Sequence, residues 1–186
     1  MAEKQLSGLK VAVIATDGVE QVELLEPKKA LESAGAEVKV IAPKSGKIQG
    51  FKHHDKADQI PVDLSLDRAN PADFDAVLLP GGVINADALR IEKKAQDFVR
   101  MIDRTGKPIA VICHGPWLLV SAGITLGRML TSWPTLQDDI RNSGAKWEDR
   151  EVLRDGNWIS SRKPADIPAF NREVISAFSE RVKKAA

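Results

Sequence analysis

Cys113, the only cysteine among 186 residues, is followed at once by His114, Gly115 and Pro116. A thiol beside an imidazole is the material of covalent catalysis: the thiolate attacks, and the imidazole takes and returns a proton. The pair sits where the apolar run Ile109–Ile112 stops and a small-residue turn begins. Strand, tight turn and helix start is the layout that presents a nucleophile at a strand tip, a nucleophile elbow. A helix start behind the sulfur also aims backbone N–H groups at it and lowers its pKa below the free value of about 8.5. A plainer reading stands beside this one, with the cysteine a small buried hydrophobe and the histidine structural.

Further residues could join the pair. Gly81 and Gly82 follow an apolar run. They are either a simple turn or a place where backbone N–H groups approach a reacting oxygen, making an oxyanion hole with the N–H of His114. Glu20 opens a helix after the first apolar run, where a carboxylate is favourable in itself. Its functional reading is contact with the Cys113 sulfur, in which case it stays protonated and donates, since two adjacent negative charges disfavour each other. Asp87 is either a helix cap, with Asn85 as a rival, or the acid that orients His114. Trp117, Trp133, Trp147 and Trp158 read as core or interface aromatics, and Trp117 and Trp133 follow the site closely enough to line a pocket.

These residues need a frame, and the apolar pattern supplies one. Leu9 to Ala15, Glu37 to Ala42, Ala76 to Leu79 and Ile109 to Ile112 are short apolar runs of the kind covered on both faces of a parallel sheet. Helical spacing lies between them, over Glu20 to Ala34 and Glu92 to Arg104. Pro27 requires the first of these helices to start near Glu26 or to bend. Ile48 to Phe51 and Ile60 to Leu64 read as short strands or a hairpin, and Pro116 to Ala122 as a helix with proline in its first turn. Later come a helical Thr135 to Asn142, three short strands ending at Trp158 to Ser160, and a helix over Ala165 to Lys183. The expectation is a doubly wound α/β sandwich whose site lies at the carboxyl ends of its strands. Three such ends carry Asp17 to Glu20, Pro80 to Gly82, and Cys113-His114, and their convergence favours the reactive cysteine.

Composition narrows the possibilities. The length suits one domain spanning residues 1–186. The net charge is +1 with no basic block, so no nucleic-acid partner is expected. No signal-peptide core or membrane span is read, and a single cysteine fits a reducing, cytoplasmic compartment. His53 and His54, remote from the cysteine, do not have the spacing of a familiar metal site, and no nucleotide-binding glycine loop is present. Neither a metal nor a cofactor is expected.

Ala110-Val111-Ile112-Cys113-His114-Gly115-Pro116, Leu79-Pro80-Gly81-Gly82 and Asp17-Gly18-Val19-Glu20-Gln21-Val22-Glu23 together resemble the DJ-1/PfpI superfamily. Within it they are most similar to the PfpI-type branch of intracellular protease-like, general-stress and deglycase sequences. Ile124 to Arg128, Thr131 to Pro134, Asp155 to Arg162 and Pro164 to Asp166 extend the likeness along nearly the whole chain. The resemblance implies a flavodoxin-like three-layer sandwich of the class I glutamine amidotransferase type, mostly parallel, with helices on both faces. It implies Cys113 on a strained elbow, Glu20 bonded to its sulfur, and N–H donors from Gly82 and His114. It also implies an acid from a neighbouring subunit, hence at least a homodimer. Asp87 matches that acid if one extra residue follows Gly82; strict spacing gives Ala86. Trp133 and Trp117 stand where relatives commonly carry Tyr and Gln, implying a tighter, more apolar pocket.

The function so implied is detoxification of small aldehydes such as methylglyoxal and glyoxal, or of early glycation adducts, through a Cys113 hemithioacetal. A cysteine peptidase using the same thiolate, and a redox-sensing or chaperone-like stress protein with an oxidisable Cys113, are the alternatives.

Overall fold

The computed structural model describes residues 5–185. The chain runs through β1 (Lys10–Ile14), β2 (Val19–Glu20), α1 (Gln21–Ser33), β3 (Glu37–Ala42), β4 (Lys47–Lys52), β5 (Asp55–Pro61), β6 (Leu64–Ser65) and β7 (Ala76–Leu79). It continues through α2 (Val83–Arg90), α3 (Lys93–Arg104), β8 (Ile109–Ile112), α4 (Pro116–Ser121), β9 (Met129–Leu130) and α5 (Gln137–Asn142). The last elements are β10 (Lys146–Trp147), β11 (Val152–Asp155), β12 (Trp158–Ser161) and α6 (Ile167–Ala185).

Seven strands form the central sheet in the order β11-β12-β8-β7-β1-β3-β6. Every pairing is parallel except β11 with β12. The two-residue period of the strands divides the core between the two faces. Val11, Val13, Leu78 and Ile112 face α1 and α6, packing with Leu24, Leu31, Phe170, Val174 and Phe178. Ala12, Ile14, Val77, Leu79 and Val111 face the other way, toward Leu89, Phe98, Val99, Ile102 and Leu118. That division is why the central strands read as unbroken apolar runs, and it gives the expected three layers.

Two expectations change in detail. α1 begins at Gln21 and runs through Pro27, whose ring is buried on the core side, rather than starting near Glu26. The short helix α2 starts directly after Gly82, so Asp87 lies within it and is not its cap. Ile48 to Phe51 does belong to a hairpin, β4 with β5, and β2 joins its edge. Among the described residues no helix is long and apolar enough to cross a membrane.

Candidate active site

Because β1, β7 and β8 are neighbours and parallel, their carboxyl ends converge, and the loops that follow them build the site. Cys113 comes immediately after β8 with φ of 61°, a left-handed conformation unusual for a residue with a side chain. Holding it there costs ~1–3 kcal/mol, so the surroundings must over-determine it. They do so on both sides of the peptide: the Cys113 N–H donates to the Ser161 carbonyl at 3.1 Å, and its carbonyl accepts the Trp133 N–H at 2.9 Å. Gly115 lets the turn pass close to β7, where a Cβ would come within 2.7 Å of the Leu79 carbonyl oxygen. The expected strained elbow is thus present.

The left-handed turn brings two consecutive side chains together. Cys113 Sγ is 3.1 Å from His114 Nδ1. The His114 ring stacks on Trp133, with centroids 5.8 Å apart and planes 24° apart, and meets the edge of Trp117 at 5.5 Å. Trp117 is held in turn by its Nε1–H donating to Asp139 at 2.9 Å and by the Arg90 guanidinium 5.0 Å from its ring centre. Burial lowers the His114 pKa to about 4, so the imidazole is neutral at physiological pH and free to accept a proton.

The acid at the sulfur is Glu23, not Glu20. Glu23 is fully buried, accepts the Gly81 N–H on Oε2 at 2.8 Å, and lies beside the Cys113 side chain across Gly81. Its Oε1 is buried and has no hydrogen-bond partner among the described residues. Glu20 is directed elsewhere because β2 pairs it with Phe51 of β4. Its Oε2 accepts the N–H of His53 at 3.0 Å, holding a turn in which His53 has φ of 57°. The signal for Glu23 was in the sequence: it shares the buried stripe of α1 with Leu24, Pro27 and Leu31, and an acid on an apolar stripe calls for an explanation.

Burial pushes both groups up. It carries the Glu23 carboxyl to about 8, against the pull of the Gly81 N–H. The Cys113 thiol is raised first by burial and then by the Glu23 charge, while backbone hydrogen bonds from Gly82 and His114 lower it. The expected lowering of the thiol is therefore outweighed by burial. The pair does not hold two negative charges.

Gly81 and Gly82 are required by close approach. A Cβ on Gly81 would lie 2.5 Å from Glu23 Oε2 and 2.6 Å from the Cys113 Cβ. Gly82 has φ of 90°, and a Cβ there would meet the Gly18 carbonyl oxygen at 2.4 Å. Asp87 is exposed on α2, and among the described residues no acid bonds or pairs with His114. The separate cavity of about 440 Å³ lined by Arg154, Arg172 and Glu173 carries no thiol or imidazole.

The sequence signature of the DJ-1/PfpI family matches residues 9–177, nearly the full length of the chain. This chain belongs to the DJ-1/PfpI family. Among its relatives is Deglycase TK1284 of Thermococcus kodakarensis, 43% identical over 167 residues, covering 90% of this chain and 98% of that protein. Protein/nucleic acid deglycase 2 of Escherichia coli is 41% identical over 167 residues, covering 89% and 95%. The crystal structure of Drosophila melanogaster DJ-1beta superposes with a TM-score of 0.84 at 29% identity, covering 95% of this chain and 94% of that one. The DJ-1/PfpI sandwich is thus common ground between sequence and fold.

Proposed function

We propose that this DJ-1/PfpI protein is a cysteine-dependent deglycase or glyoxalase that acts on methylglyoxal, glyoxal and early glycation adducts. The observation that carries the reading is the Sγ to Nδ1 distance of 3.1 Å on a strained elbow, with Glu23 buried beside the sulfur. Relatives named deglycases support the glycation-adduct part of that substrate class.

In this reading the Cys113 sulfur adds to the aldehyde carbon. The C–S bond forms as the C=O π bond breaks, and the developing oxyanion meets the N–H groups of Gly82 and His114. The thiol proton passes through His114 to that oxygen, giving a hemithioacetal. His114 then takes the proton from the former aldehyde carbon and returns it to the neighbouring carbon, while the hydroxyl proton moves to the neighbouring oxygen, leaving a thioester. Water hydrolyses the thioester to lactate or glycolate and frees Cys113. With a glycation adduct, the C–N bond breaks and the protein amine leaves with a proton. No electrons are gained or lost overall, and no cofactor enters.

Gly81 and Gly82 shape the oxyanion side, while Trp117 and Trp133 wall the imidazole and exclude larger polar groups. The same reading takes residues 1–186 as one domain acting in the cytoplasm. It places Asp87 of a second copy against His114, so the working unit is at least a homodimer. Support for that contact is the exposure of Asp87 together with Val83 and Ile84 on the same helix.

The test is purified protein with methylglyoxal. Lactate should form with the wild-type protein and stop in Cys113→Ser; no lactate above a buffer control would overturn the proposal.

A further inference from the structure

Asn85 is a side chain that the reaction above does not use, yet it is among the most tightly held in the molecule. It is 0% exposed. From α2 it reaches back across the ends of two strands. Its Oδ1 accepts the Thr16 N–H, just beyond β1, at 2.7 Å. Its Nδ2 donates to the Pro80 carbonyl at 3.2 Å and to the Gly81 carbonyl at 2.9 Å, just beyond β7. The orientation of the amide is fixed by its partners, since a flipped amide would set oxygen against two carbonyls and nitrogen against an N–H. It caps nothing: α2 has Gly82 at its N-cap and no side-chain cap.

The Gly81 carbonyl and the Gly82 N–H belong to one peptide unit, which is planar and trans. Whatever holds the carbonyl therefore aims the N–H in the opposite direction. This peptide runs beside Cys113, a Cβ on Gly81 coming within 2.6 Å of the Cys113 Cβ, and the Gly82 N–H favours the thiolate. With glycine on both sides, nothing in the chain itself resists rotation of this plane. The carbonyl has two anchors, the Asn85 amide at 2.9 Å and the weaker Glu20 N–H at 3.3 Å. We propose that Asn85 is a positioning residue that holds the Gly81–Gly82 peptide plane so that its N–H meets the sulfur and the developing oxyanion.

The proposal rests on the aldehyde reading for its turnover assay, but not for its thiol assay. Two variants test it. Asn85→Ala removes the amide and leaves only the weaker Glu20 N–H on the Gly81 carbonyl, and Asn85→Asp keeps the acceptor for Thr16 while only its protonated form can donate to Gly81. Both are measured for methylglyoxal turnover, for the rate of Cys113 alkylation by iodoacetamide, and for Tm. Asn85→Ala should lose at least about 10-fold in kcat with KM little changed, because misaimed oxyanion donors cost rate rather than binding. Alkylation should slow as well.

In Asn85→Asp, ionisation would set a carboxylate against two carbonyl oxygens, so both rates should fall as pH rises. Glu20, Glu23, Cys113 and His114 are the other ionisable groups around the loop and are shared with the wild type, so the signature is read in the ratio of variant to wild type. If Asn85→Ala does not fold, Asn85→Asp carries the test alone. Two results overturn the proposal: a folded Asn85→Ala with wild-type kcat and alkylation rate, or, where only the aspartate variant folds, a pH-independent ratio. A wild-type protein that turns over no methylglyoxal would sink the aldehyde reading, while the alkylation arm would still decide the role of Asn85.

Discussion

Cys113 Sγ and His114 Nδ1 are 3.1 Å apart although their residues are consecutive, a contact that extended backbone would prevent by sending the two side chains to opposite faces. The left-handed φ of Cys113 turns both toward the same space, and Trp133 stacked on the imidazole keeps the ring there. The strain at the elbow is thus tied to the meeting of thiol and imidazole. Replacing His114 with Ala keeps its backbone N–H donor and removes the base. Methylglyoxal turnover in His114→Ala should fall by about 10²–10⁴-fold. Steady-state kinetics checks this, and a kcat near wild type would remove His114 from the reaction.

Glu23 and Glu20 should separate cleanly on mutation. Glu23→Gln keeps an oxygen for the Gly81 N–H but replaces the proton-sharing carboxyl, so Cys113 alkylation and turnover should both change by at least about 10-fold. Glu20→Gln should loosen the His53 turn, with a much smaller effect on the sulfur. Iodoacetamide kinetics on the two variants decides the assignment.

The raised Glu23 pKa also predicts a pH dependence of stability. The folded carboxyl holds its proton to about 8, against 4.5 for a free glutamate, so between those values the native state binds more protons than the unfolded chain. Stability from this group is present below pH 4.5 and is lost as pH rises toward 8, by about 5 kcal/mol at most. His114 acts oppositely: its folded pKa of about 4 lies below the free value of 6.5, so its contribution is lost as pH falls through that range. Urea unfolding between pH 6.5 and 8 therefore isolates Glu23, and Glu23→Gln should become more stable relative to wild type as pH rises across that window.

Much of this was legible in the sequence. Buried parallel strands are apolar at every position, so β1, β3, β7 and β8 stood out with their ends, and the cysteine at one end marked the site. The identity of the acid was not. Glu20 and Glu23 both open α1, and which one turns inward depends on β2 pairing with β4, a contact between segments 31 residues apart in sequence. The role of Asn85 was hidden for the same reason, since its partners at Thr16, Pro80 and Gly81 come together only when β1 and β7 lie side by side.

If Asp87 of a second copy completes the site, two inactive variants should rescue each other. Asp87→Ala mixed with Cys113→Ser and allowed to exchange subunits would form pairs in which one site has both Cys113 and a partner acid. Turnover should reappear in the mixture and scale with subunit exchange. A mixture as inactive as its components would exclude the shared site.

The central claim is that the Cys113 sulfur forms the covalent bond to substrate. Since the chain has no other cysteine, alkylation can be counted per chain by intact mass while methylglyoxal turnover is followed on the same sample. The account predicts that activity falls in proportion to alkylation and is abolished at one alkyl group per chain on Cys113. Full alkylation of Cys113 with turnover intact would contradict it.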